Sequence, residues 1–62
     1  MMNYWMVYEE GGKLEAIETE GGTKAGDLEK LARNSGLSVV GWYAGGTEND
    51  AINYFKALGM GK

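Results

Sequence analysis

Two short segments have the composition to bind an anion. Gly21-Gly22-Thr23 and Gly45-Gly46-Thr47 each join a strand-like run to a helix-like one. Glycine-rich turns at helix N-termini leave backbone N–H groups free, and such groups take phosphates and carboxylates. Gly22, Thr23, Gly46 and Thr47 are the candidate donors, with Lys24 adding positive charge. The plainer reading is turn and capping chemistry, which calls for the same residues. Neither segment has the lysine and spacing of a P-loop or the spacing of a dinucleotide fingerprint, so a nucleotide enzyme is not indicated.

A second cluster is acidic. Glu9, Glu10, Glu15, Glu18 and Glu20 fall within twelve residues, opposed only by Lys13. Such a run suits a basic partner or a mimic of nucleic-acid phosphates. It also suits a solvated sheet edge guarded against aggregation. Acid–base work by paired carboxylates needs a cleft that excludes water, which a chain this small does not easily build. The sequence has no His and no Cys, so the commonest general base and the thiolate metal ligands are absent. The expectation is a non-enzymatic protein with no metal and no cofactor.

The third cluster is aromatic: Tyr4, Trp5, Tyr8, Trp42, Tyr43, Tyr54 and Phe55. Most must serve as core. Trp42 and Tyr43, just before the second Gly-Gly corner, are the candidates for interface anchors or base-stacking platforms. Lys24, Lys30 and Arg33 would add a modest basic patch on one helix.

The elements that position these groups are legible from spacing. Tyr4-Trp5-Met6-Val7-Tyr8 is apolar at every position. Alternation puts Tyr4, Met6 and Tyr8 on one face of a strand and Trp5 and Val7 on the other. A strand apolar on both faces belongs at the centre of a covered sheet. Gly11-Gly12 marks a hairpin turn, and Leu14–Thr19 returns as a polar edge strand. Thr23 is a plausible N-cap for a helix over Lys24–Asn34, with Ala25, Leu28, Leu31 and Ala32 as its apolar stripe. Asp27 would lie in its first turn, Glu29 and Arg33 pair on its wet side, and Gly36 stops it.

Leu37–Ala44 is the third strand. Alternation gives Leu37, Val39 and Tyr43 one face and Val40, Trp42 and Ala44 the other. Thr47 and Asp50 form a capping-box pattern for a second helix with the stripe Ala51, Ile52, Phe55 and Leu58. Gly59 ends it, Met60 packs back, and Gly61-Lys62 fray.

The reading is therefore an α+β domain, ββαβα, with a three-stranded antiparallel sheet in the order second, first, third. The two helices are placed one on each face. The runner-up puts both on one face, leaving an apolar face that would drive dimerisation. The 62 residues make one domain, 1–62, with net charge −3, which argues against indiscriminate binding to phosphate backbones. The opening Met1-Met2-Asn3 shows no leader pattern, and no apolar run approaches the roughly 20 residues of a membrane span. The expected setting is cytoplasmic.

The element order, the opening Tyr4-Trp5-Met6-Val7-Tyr8, Gly41-Trp42-Tyr43, and the closing Gly46-Thr47-Glu48-Asn49-Asp50-Ala51-Ile52-Asn53-Tyr54-Phe55 carry a resemblance. They resemble the small hybrid-binding domain at the N-terminus of some ribonucleases H and in caulimovirus viroplasmin. The resemblance spans nearly the whole chain as topology and a loose apolar pattern. It implies the ββαβα fold, and binding of an RNA/DNA hybrid through basic and aromatic positions. Where that family typically has a Trp at the start of its first helix, this chain has Thr23-Lys24-Ala25-Gly26.

Two functions follow as expectations. The first is a protein-binding module acting through the acidic hairpin or an aromatic patch, as a homodimer or as a phage-type accessory or inhibitor protein. The alternative is nucleic-acid binding, to an RNA/DNA hybrid or a duplex, at the two helix N-termini with Lys24, Lys30, Arg33, Trp42 and Tyr43.

Overall fold

The computed structural model describes residues 3–60, so the expected fraying of Gly61-Lys62 lies outside the described residues. The order is β1 (Asn3–Glu10), β2 (Lys13–Glu20), α1 (Thr23–Asn34), β3 (Ser38–Ala44) and α2 (Glu48–Ala57). The sheet runs β2-β1-β3, and β1 is antiparallel to both neighbours. The two-sided apolar pentapeptide is thus the central strand. Gly11 and Gly12 take φ of 60° and 83°, the positive values that a tight primed hairpin turn needs at both central residues. Glu10 and Lys13 close that hairpin as a cross-strand pair.

The core is small. Among the described residues, Met6, Val7, Leu14, Ala32, Ala51 and Phe55 are the buried apolar side chains. Val7, Leu14, Ala51 and Phe55 form one cluster, with Trp5, Ala16, Val40, Tyr43 and Ile52 packed against it. Val7 stands between Ala16 on β2 and Gly41 on β3, a small-large-small row across the sheet. The Phe55 ring lies on the bare backbone at Gly41, where a Cβ would come within 2.8 Å of its Cζ.

β3 departs from plain alternation. Val7 pairs with Gly41 but Tyr8 pairs with Val39, so Val40 is an extra residue in a bulge. The bulge turns Val40 to the same cluster as Tyr43, whereas uninterrupted alternation separates them. Trp42 goes to the other helix, donating its indole N–H to Glu29 of α1 at 2.8 Å.

The helix ends follow local chemistry, with two corrections. Gly22, not Thr23, is the N-cap of α1; Thr23 is already helical and makes no side-chain cap. Gly22 at φ 73° makes the turn out of β2, which moves the helix start one residue earlier. Asp27 consequently lies beyond the first turn, which holds no acid. α2 starts on the expected capping box: the Thr47 hydroxyl accepts from the Asp50 N–H at 3.2 Å, and the Asp50 carboxylate accepts from the Thr47 N–H at 3.0 Å. Both helices stop at a positive-φ glycine, Gly36 and Gly59, with Leu37 N–H returning to Ala32 O and Met60 N–H to Phe55 O. Leu31 and Leu58, assigned to the apolar stripes, are instead 64% and 60% exposed. Neither helix is long and apolar enough to cross a membrane.

Glycine position decides the sign of a methyl group here. Gly41→Ala forces its Cβ into the Phe55 ring and is expected to destabilise the fold by about 1–3 kcal/mol. Gly26→Ala, mid-helix with nothing within 4 Å of the added Cβ, is expected to stabilise it by about 0.5–1 kcal/mol. Urea unfolding of the two variants checks both signs.

Candidate interaction surfaces

The topology brings both Gly-Gly-Thr corners to the Asn3 end of the central strand. Glu20 pairs with Asn3 and Ala44 with Tyr4, so β2 and β3 finish side by side around β1. Asn3 ties the corner together. Its side-chain amide donates to Glu18 at 2.6 Å and to the Gly46 carbonyl at 3.4 Å, and its own carbonyl accepts from Gly45 N–H at 2.8 Å. Trp5 also donates its indole N–H to Gly46 O at 3.2 Å.

The two corners differ in charge. The start of α2 already carries Glu48 and Asp50, and Asp50 and Thr47 satisfy each other's backbone donors. Carboxylates at that position complement the helix dipole and oppose a further anion. The start of α1 holds no acid, but the Lys24 ammonium sits 3.0 Å from the Glu20 carboxylate. Arg33 likewise pairs with Glu29 at 3.2 Å. Lys24 and Arg33 are nine residues apart, about two and a half helical turns, so they project from opposite sides of α1. Lys30 is exposed on the same helix. The three cations do not form one patch.

The acidic residues are also divided. Pairing puts Glu9 opposite Leu14, and Glu18 opposite Trp5, on the face of the Val7 cluster. Glu15 pairs with Tyr8, and Glu10 with Lys13, on the reverse face. Burial, and then the neighbouring Glu15 and Glu10 carboxylates, hold the Tyr8 phenol above its ordinary value. The β2 edge itself is exposed and charged, with Lys13, Glu15, Glu18 and Glu20 along it.

The β3 edge is the opposite in character. Ser38-Val39-Val40-Gly41-Trp42-Tyr43-Ala44 has no charged residue. Beside it, Tyr43 and Tyr54 rings lie 5.4 Å apart, and Tyr54 stacks edge-on against Phe55 at 5.1 Å. Tyr54 remains 50% exposed. Of the candidate aromatics, Tyr43 is half-buried at this edge.

A groove of about 420 Å³ opens between α1 and the sheet. Tyr4 and Trp42 line it from the sheet. Gly21 and Gly22 form one end, and Ala25, Gly26 and Glu29 the helical wall. Glu29 is fixed there by two donors, the Trp42 indole N–H on Oε1 and the Arg33 guanidinium on Oε2. The Trp42 bond first, and the Arg33 bond second, hold its carboxyl below the ordinary range. Gly22 and Trp42 were legible as candidates; Tyr4, Gly21, Ala25, Gly26 and Glu29 were not. The available signal was Gly26, an unexplained glycine inside an amphipathic helix.

Compared with protein-family models, with curated proteins and with solved structures, the chain finds no match. Among the described residues no group of three or more acidic side chains is placed to hold a metal ion.

A lowered carboxyl stabilises the folded state above its ordinary value of 4.5 and loses that contribution as the pH falls through the lowered one. Glu29→Gln is therefore expected to be less stable than the parent at neutral pH, with the gap closing in acid. Thermal melting of both proteins across the acid range checks this, and the Trp42 indole N–H resonance is expected to titrate over the same interval in the parent alone.

Proposed function

We infer that this is a non-catalytic protein-interaction module whose β3 edge pairs with a strand of another polypeptide, in the simplest case β3 of a second copy. The observation that carries the reading is the contrast between the two edges. An open edge strand is a template for another strand unless charge, proline, a bulge or a cover blocks it, and the bulge at Val40 leaves residues 41–44 regular. β2 carries four charged side chains; β3 carries none. An antiparallel pair related by a two-fold axis sets a strand against itself. That would oppose carboxylates along β2, but only neutral residues along β3. Tyr54, whose ring packs on Tyr43 of β3, then adds exposed apolar area beside the same edge. The absence of Cys suits a reducing, cytoplasmic setting.

Less supports the nucleic-acid alternative. Lys24 and Arg33 are each engaged by a carboxylate of the chain itself, and the start of α2 is acidic. The likeness to hybrid-binding domains rests on element order and apolar pattern.

Light scattering tests the pairing. The protein is expected to approach dimer mass as concentration rises through about a hundredfold range. Tyr54→Lys, at an exposed position, is expected to return the monomer with little change in melting temperature. Glu15→Lys with Glu18→Lys on β2 is expected to leave the mass unchanged. A strict monomer throughout, or saturable quenching of Trp fluorescence by an RNA/DNA hybrid at low salt, would replace this reading.

A further inference from the structure

We propose that the groove between α1 and the sheet is a binding site for an arginine side chain of a partner polypeptide, its stem lying on Tyr4 and Trp42 and its guanidinium meeting Glu29. The site is independent of the β3 edge and holds for a monomer or a dimer.

Three observations carry it. First, the groove combines aromatic surface with one fixed carboxylate. Aromatic faces attract cations, and a guanidinium both stacks on them and bonds a carboxylate. Glu29 is held in place by the Trp42 indole at 2.8 Å, so it is oriented before any ligand arrives. It is also partly shielded, with its side chain 35% exposed, which strengthens the attraction for a cation relative to open water.

Second, the carboxylate already holds a guanidinium. Arg33 reaches Glu29 Oε2 at 3.2 Å while its own side chain stays 60% exposed. An exposed pair of this kind is weak and readily exchanged. Arg33 thus shows the chemistry the carboxylate accepts, and stands as an internal competitor for it.

Third, the space is kept open. Every other described glycine either takes positive φ or lies where a Cβ would meet Tyr4 or Phe55. Gly26 does neither: its φ is helical, and an added Cβ there touches nothing within 4 Å. Glycine inside a helix weakens it relative to alanine. Its local consequence is an unfilled wall opposite Tyr4 and Trp42.

Nuclear magnetic resonance titration tests the site with N-acetyl-argininamide, against N-acetyl-norleucinamide as the uncharged stem and N-acetyl-glutamamide as an anion. The argininamide is expected to shift the Trp42 indole N–H and the Gly26 amide saturably, and norleucinamide to bind at least about tenfold more weakly. Glu29→Gln is expected to weaken argininamide binding about tenfold, and Arg33→Ala to tighten it by removing the competitor. Gly26→Leu, which fills the groove while favouring the helix, is expected to abolish binding with no loss of melting temperature. Absence of saturable shifts with argininamide would overturn the proposal. Equal binding of norleucinamide would make the groove a plain apolar slot, and preferred binding of glutamamide would make it an anion site at the start of α1; either overturns it. So would argininamide binding that is unchanged in Glu29→Gln.

Discussion

The fold depends on one contact, the Phe55 ring lying on the backbone of Gly41 above Val7. A chain of 62 residues buries a smaller share of its surface than a larger domain does, so a single large side chain carries an outsized part of the core. The sheet accommodates it with a row of decreasing bulk on either side of Val7, Ala16 on β2 and Gly41 on β3. The ring needs this flat spot, and the flat spot needs a glycine in a strand interior, where glycine is otherwise unfavourable. The adjacent bulge at Val40 then supplies the side chain that Gly41 lacks, turned to the same cluster. Gly41 and the bulge are therefore two parts of one packing solution.

That solution shapes the surface. Tyr43, drawn to the Phe55 cluster, brings its ring to Tyr54 at the outer edge of the sheet. Trp42, its neighbour in sequence, is sent to α1 and pins Glu29. The two candidate surfaces thus arise from consecutive residues of one strand. The β3 edge and the groove share β3 as their frame, and a change that shifted its register by one residue would exchange Trp42 and Tyr43 and erase both.

Much of the architecture was legible because it is local. The hairpin glycines, the capping box at Thr47 and Asp50, and the stop glycines Gly36 and Gly59 are each read from a few adjacent residues. The central place of β1 followed from an apolar pattern without a polar face. What was not legible is what tertiary packing decides. The bulge at Val40 breaks a period that the sequence alone continues. Leu31 and Leu58 fit helical stripes by spacing, yet so small a domain leaves them exposed. The groove is harder still: Tyr4, Gly26 and Glu29 come from two elements far apart in sequence, and no spacing rule joins them. Glu29 was read as half of a surface pair with Arg33, and that pair is present. Its second oxygen, turned to Trp42, needed the crossover from α1 to β3 to become visible.

The bond between Glu29 and Trp42 has a consequence for how the domain holds together. Few buried contacts attach α1 to the sheet; Ala32 is its only buried residue among those described. A charge-assisted hydrogen bond from an indole is stronger than a neutral one and strongly directional. It fixes the angle of the helix over the sheet where apolar packing is thin. A helix held this way, with a glycine in its wall, keeps an aromatic groove beside it without collapsing into it. The same carboxylate therefore sets the position of α1 and presents a charge to the groove. Neutralising it acts on both, and filling the groove from Gly26 acts on the second alone.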